Sequence, residues 1–210
     1  MKRKQIIFLS GAISLIVIII GYGYFFQMGF LPFSFWEVRS LETKCKDGDA
    51  NACGCLAMYY FKKEDKYFYW LQKSSALGDA YSQYFLSKKL SNSNNAQDIR
   101  ESLKLLEQSA LNGFWASQSE LAHAYLEGKI LPQDRNKALI WFSKSAQQGH
   151  LGAMLQLAKI RAQASGDEQD LLEAYVWVTL ALKRSVPQSV LYDNSKIQKE
   201  AVEAAIKKAR

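Results

Sequence analysis

Asp134-Arg135-Asn136-Lys137-Ala138-Leu139-Ile140-Trp141-Phe142-Ser143-Lys144-Ser145-Ala146-Gln147-Gln148-Gly149 is the stretch from which the organisation of this 210-residue chain can be read. It closes on a glycine and places a large apolar residue, Trp141, eight positions before it. Upstream, Gly113 follows Leu105 and Gly78 follows Trp70 at the same distance, while Gly48 has Ser40 there. The four glycines are separated by 30, 35 and 36 residues. Four positions after each comes a small residue (Ala52, Ser82, Ser117, Ala153) and eight after each a leucine (Leu56, Leu86, Leu121, Leu157). Twelve after come Tyr60, Leu90, Tyr125 and Arg161. A fixed period in the range of about 20 to 50 residues marks a stacked repeat.

Positions four, eight and twelve beyond a glycine share one face of a helix, which returns to the same side about every 3.6 residues. A second periodic segment follows in each unit, over residues 67–77, 99–111, 137–148 and 172–183. In the first three the next repeat glycine falls just past its end, where a left-handed residue closes a helix at little cost. Each unit is therefore an antiparallel helix pair, A then B. One pair cannot bury its apolar face alone, and a row of pairs can. Residues 37–46 read as a lone B helix that begins the stack, because Leu41 stands seven before Gly48 as Leu71, Leu106 and Phe142 stand before the later glycines. Residues 194–210 read as a capping helix, with Ile197, Val202 and Ile206 along its apolar side.

The stretch 134–149 resembles the B helix of Sel1-like repeats, relatives of the tetratricopeptide repeat, and the segment from Gly113 to Gly128, with Ser117, Leu121 and Tyr125, resembles the matching A helix. Glu173-Ala174-Tyr175-Val176-Trp177 resembles a further B helix. The first unit is short, with 22 residues from Gly48 to Trp70 against 28 from Gly113 to Trp141. The second carries the polar loop Ser91-Asn92-Ser93-Asn94-Asn95, and the fourth puts Arg161 where tyrosine is expected. The resemblance implies an all-α, right-handed α/α solenoid of about four units over residues 37–185, with 186–210 as the cap. It also implies that the work of the chain is protein–protein binding. Cys45 and Cys53 stand three before and five after Gly48, a placement similar to the disulfides of cysteine-rich Sel1-like proteins secreted by some bacteria. The alternative for Cys45, Cys53 and Cys55 is a metal site of three thiolates, which lacks a histidine or acidic cluster to complete it. On the disulfide reading Cys55 stays outside the bond, since two residues along a helix point to different sides.

Residues 6–26 form a run of 21 without a charge, preceded by Lys2, Arg3 and Lys4. At about 1.5 Å per residue such a helix crosses a hydrocarbon core of roughly 30 Å. The expected organisation is a cytoplasmic tip (1–4), a transmembrane anchor (5–26) and an aromatic juxtamembrane linker (27–36) ahead of the solenoid. The rival reading is a signal peptide cleaved near Gly21-Tyr22-Gly23, although apolar residues continue beyond that site. The basic N-terminal cluster places the tip in the cytoplasm and the repeats outside, in a bacterial periplasm at the inner membrane. An oxidising compartment agrees with a disulfide.

The formal net charge of +7 shrinks to +4 when Lys2, Arg3 and Lys4 are set aside, and the remaining basic residues are spread along the helices. A solvated helical surface accounts for that distribution better than a phosphate-binding stripe, so nucleic acid is not an expected partner. No metalloprotease, nucleophile-elbow or phosphate-loop motif occurs, and no cofactor, metal or small-molecule substrate is expected. His123 and His150 would form an acid–base or metal pair only if the fold brought them together, and a structural role for each is the plainer reading. Asp98, Asp134 and Asp170 each stand seven before the B-helix apolar residue, which suits a cap or first-turn role. The chain is thus expected to be a binding protein, not an enzyme. By analogy with related repeats, partners dock on the concave side lined by A helices, where Tyr81, Tyr84, Lys88, Trp115, Ser119 and His123 are the candidate contacts. Two roles fit: an immunity protein that occludes a toxic effector such as a phospholipase, and an adaptor for an envelope or signalling complex.

Overall fold

The computed structural model describes residues 35–163, 168–187 and 189–209. Every element among them is a helix: α1 (Phe35–Lys46), α2 (Ala50–Tyr59), α3 (Glu64–Ala76), α4 (Ala80–Ser91), α5 (Ala96–Leu111), α6 (Trp115–Glu127), α7 (Arg135–Gln147), α8 (Leu151–Ala162), α9 (Glu168–Arg184) and α10 (Val190–Ala209). Each helix packs on its neighbours in sequence, and α10 lies across both α8 and α9. The A helices are α2, α4, α6 and α8, and the B helices α3, α5, α7 and α9, with α1 as the extra B-type helix in front. The expected anchor at 5–26 and most of the aromatic linker lie outside the described residues, and no helix among those described is long and apolar enough to cross a membrane.

Hinges of one backbone geometry make the array. At Gly113, φ is +94°, the amide of Gly113 bonds the Ala110 carbonyl at 3.2 Å, and that of Phe114 bonds Ser109 at 3.1 Å. This is the Schellman closure of a helix, in which a residue without Cβ takes the left-handed conformation at least cost. The other three repeat glycines have φ of +93° to +96° and the same pair of bonds. The residue after each glycine is already the N-cap of the following A helix, so two residues reverse the chain. At the first two hinges Asp49 and Asp79 cap with their carboxylates, accepting from Ala52 N at 3.0 Å and Ser82 N at 2.7 Å.

The periodic residues occupy the interior. Ala52, Ser82, Ser117 and Ala153 are buried, and so are Leu56, Leu86, Leu121 and Leu157. On the B helices Leu71 and Phe142 are almost fully enclosed. A polar ladder invisible in the spacing reinforces the stack. Ser74, Ser109 and Ser145, each four before a glycine, donate to the carbonyls of Ala50, Ala80 and Trp115 at 2.8, 2.5 and 2.9 Å. Those carbonyls belong to the first residue of the preceding A helix, so each bond ties B to A within one unit.

Two readings need adjustment, while the aspartates keep the cap and first-turn places expected of them. The B helices begin earlier than the apolar period, at Glu64, Ala96, Arg135 and Glu168, because polar first turns carry no periodic signal. The cap begins at Val190, and Ile197 is 65% exposed. The packed face of α10 is instead Ser195, Val202 and Ile206, with Gln198 Nε2 reaching the Leu155 carbonyl at 3.0 Å. Of the three aspartates, Asp134 is an N-cap that accepts from Lys137 N at 2.9 Å. Asp98 accepts from Ser93 Oγ at 2.6 Å and Asp170 pairs with Arg161 at 3.0 Å, both from the first turn of their helices.

Arg161 explains its own departure from the pattern. In units one and three the aromatic at this position carries a lysine over its ring, Lys66 on Tyr60 at 4.9 Å and Lys137 on Tyr125 at 5.2 Å. In unit four the cation has moved to the A helix, and Arg161 reaches Asp170 and Glu173 on α9 at 3.0 and 3.2 Å. The contact between A and B is kept with the charges exchanged.

Candidate protein-binding surface

Tyr81, Tyr84 and Lys88 share one face of α4, and Trp115, Ser119 and His123 share one face of α6, since each set recurs at intervals of three or four. Stacking of the third unit on the second brings the two faces side by side, as Tyr84 and Lys88 both reach Glu120 of α6. Phe114, the N-cap residue of α6, sits between them, with its ring centroid 5.7 Å from Tyr81, 5.2 Å from Tyr84 and 5.7 Å from Trp115. Phe85 closes the near end, 4.3 Å from Tyr81 and 5.1 Å from Tyr84. His150 extends the row into unit four, 4.7 Å from Trp115. The result is a continuous aromatic row across three units. Phe114 and His150 became visible only in the fold, because each is a hinge residue outside the A-helix period.

Polar contacts hold the row in place. Tyr84 donates to Glu120 Oε1 at 3.1 Å, and Lys88 Nζ meets the same oxygen at 3.0 Å. Burial, then the charge of Glu120 and its hydrogen bond, push the Tyr84 hydroxyl up to about 12. That group is neutral at all physiological pH values. The Tyr81 hydroxyl lies 3.1 Å from Met58 Sδ in unit one. The Lys88–Glu120 pair is half exposed and adds orientation more than stability.

The six sequence candidates divide. Trp115 is 42% exposed, while Tyr81 and Tyr84 are half-buried and Lys88 is exposed. Ser119 is only 6% exposed, so it packs within the stack and presents no surface to a partner. His123 turns its edge to Phe142, with centroids 4.9 Å apart. The other histidine, His150, lies 3.2 Å from Ser145 Oγ through Nδ1, and burial followed by the charge of His123 lowers its pKa. The two rings thus pack against different partners. Among the described residues no group of three or more His, Cys, Asp or Glu side chains stands together as metal ligands.

Cys45 and Cys53 are disulfide-bonded with Cα atoms 4.9 Å apart, and Cys55 stays outside the bond. Both bonded cysteines are buried against Val38, Ala52 and Leu56, which fastens α1 to the first A helix.

The Sel1 repeat family model matches residues 68–79, 80–114 and 115–150. Among solved structures, the chain is similar to a protective antigen present in uropathogenic Escherichia coli strains that displays an SLR fold, with 23% identity and a TM-score of 0.63. That likeness covers 82% of this chain and 40% of the antigen, so the chain spans less than half the length of that structure. It is also similar to a Sel1 repeat protein from Oxalobacter formigenes, with 25% identity and a TM-score of 0.54, over 59% of this chain and 98% of that one. No curated protein matches the chain. Sel1 repeat proteins are protein–protein interaction modules, and their fold is typically a non-enzymatic scaffold.

Proposed function

We propose that this chain, which belongs to the Sel1-like repeat family, binds one protein partner through the aromatic row of α4, α6 and the following hinge. The observation that carries the reading is the position of Trp115. It is the only aromatic of the row that is more than a third exposed, it is seated between Phe114 and His150, and its backbone is held by Ser145. A large aromatic with little freedom left to lose is the kind of residue that dominates binding energy at protein interfaces. Glu120 and Lys88, beside Tyr84, supply a polar rim.

The proposed setting is the periplasmic face of a bacterial inner membrane, with residues 5–26 as the anchor. The uncharged run and the basic cluster before it support that placement, and the Cys45–Cys53 bond fits an oxidising compartment. The role we favour is that of an immunity protein, which needs a rigid surface to occlude a toxic effector and needs no chemistry of its own.

The test is mass spectrometry of what co-purifies with the tagged full-length protein from detergent-solubilised native membranes. One stoichiometric partner with lipase or other toxin chemistry supports immunity. A set of resident envelope proteins replaces it with an adaptor role. In either case Trp115→Ala is expected to weaken capture by about 2 kcal/mol or more with the helical circular dichroism unchanged. Undiminished capture removes the aromatic row as the binding surface.

A further inference from the structure

Three of the four aromatic side chains more than a third exposed among the described residues lie in the first unit: Phe61 at 63%, Tyr69 at 56% and Tyr59 at 37%. They belong to the segment Tyr59-Tyr60-Phe61-Lys62-Lys63-Glu64-Asp65-Lys66-Tyr67-Phe68-Tyr69, which turns from α2 into α3. Lys62, Lys63 and Lys66 are exposed in the same turn. The equivalent turn of the second unit, between α4 and α5, holds Asn92-Ser93-Asn94-Asn95 and no aromatic. Both turns serve the same helix connection, so the connection itself does not call for aromatic residues.

Location sets this turn apart. Helices α1 and α2 run antiparallel, so the end of α2 lies beside the beginning of α1. Val38, Arg39 and Glu42 line a shallow recess together with Tyr59 and Tyr60. The chain therefore enters the solenoid at the end where the aromatic turn projects. Only eight residues, 27–34, separate the end of the proposed anchor at residue 26 from Phe35. Eight residues reach at most about 28 Å when fully extended. On the anchor reading proposed above, the first unit is thus tethered close to a bilayer with this end towards it.

We propose that the turn from Tyr59 to Tyr69 docks on the bilayer surface, its aromatic rings at the headgroup level and its lysines among anionic phosphates. Tyrosine and phenylalanine gain from partial removal from water at that depth, and each lysine near an anionic surface adds attraction. Glu64 is drawn aside by Lys89, which leaves Asp65 as the acidic residue of the turn without a salt bridge. With the anchor and this turn both at the first unit, the solenoid is held at two points. Its orientation is then fixed, and the aromatic row on later units stands away from the lipid.

The experiment uses the full-length protein in nanodiscs of phosphatidylethanolamine and phosphatidylglycerol, with hydroxyl-radical labelling read at each aromatic and normalised to the unfolded chain. Docking predicts that Phe61 and Tyr69 are labelled severalfold less than Trp115, although they are more exposed in the protein itself. Labelling of Phe61 and Tyr69 above that of Trp115 overturns the inference. So does protection that occurs in native membranes and not in the nanodiscs, which would assign the turn to a protein partner. Alkaline carbonate extraction of native membranes reads the anchor separately. Release of the protein removes the anchor and this inference with it, whereas retention with Phe61 fully labelled removes the docking alone.

Discussion

The first and third hinges join the same two repeat positions by different chemistry. At Gly48 the residue three before and the residue five after are Cys45 and Cys53, linked covalently. At Gly113 they are Ala110 and Gln118, and Gln118 Nε2 donates to the Ala110 carbonyl at 3.1 Å. Gly78 repeats the second solution, with Gln83 and Ser75 at 3.4 Å. At Gly149 the pair is Ala146 and Met154, both in the apolar core. The amide solution has a condition attached. Gln118 Oε1 is satisfied by Gln148 at 2.8 Å, and Gln83 Oε1 by Asn112 at 3.0 Å. Each of these donors stands just before the glycine of the next hinge. For the first hinge that position is Leu77, which has no amide to offer, so a glutamine at 53 would bury an unsatisfied oxygen. The fourth hinge has no further repeat glycine after it. The amide ladder therefore runs only through the middle of the array, and the two ends use sulfur side chains that ask for no partner.

Breaking the covalent hinge is expected to have the largest effect. Closing so short a loop contributes roughly 2–3 kcal/mol on the chain-entropy model. Cys45→Ser with Cys53→Ser should therefore release α1 and α2 while later units hold, as expected of an array in which each unit contacts only its neighbours. Hydrogen exchange checks this: fast exchange over 35–59 with protection kept over 115–147 is the expected pattern. Uniform loosening would mean that the first hinge is not a separate unit.

Next in size is the amide hinge. Gln118→Ala strips a donor from a buried carbonyl and an acceptor from Gln148, at a cost of about 1–3 kcal/mol. Gln118→Met copies the fourth hinge and should cost less, because the volume is retained. Thermal unfolding of the two variants ranks them, and equal losses would show that filling the space contributes little there.

The smallest effect separates the first hinge from the fourth by pH. Asp49 caps α2 with its carboxylate, whereas the cap residue of α8, His150, is half-buried beside Ser145 and Trp115. Burial and the charge of His123 depress the His150 pKa, so the folded state holds fewer protons than the unfolded state below the ordinary value of about 6.5. Its contribution is present above that value and is lost as the pH falls through the folded pKa. Thermal unfolding between pH 7 and 5 should therefore decline less steeply in His150→Asn than in the native protein. Parallel declines would exclude His150 as the source.

Much of the architecture was legible because it is local. The hinges, the buried small residue and the buried leucine depend on residues within one helical pair, and the glycine period records them directly. The candidate surface was legible only in part. Trp115, Tyr84 and Lys88 followed from the analogy with related repeats, whose A helices line the docking side, while Phe114 and His150 did not, because their place in the row comes from the reversal at each hinge. The serines of the ladder are likewise illegible in the sequence, since a serine in a helix carries no sign of the carbonyl it will meet.

By itself the sequence determined the repeat, the order of helix pairs and the residues at each turn, because backbone conformation and helical period act over a few residues. Tertiary structure decided what each remaining side chain faces. Ser119 is enclosed and Ile197 is open to solvent although their spacing suggested the reverse. Burial is set by which neighbouring helix arrives at a given face, and that depends on the packing of units 30 to 36 residues apart.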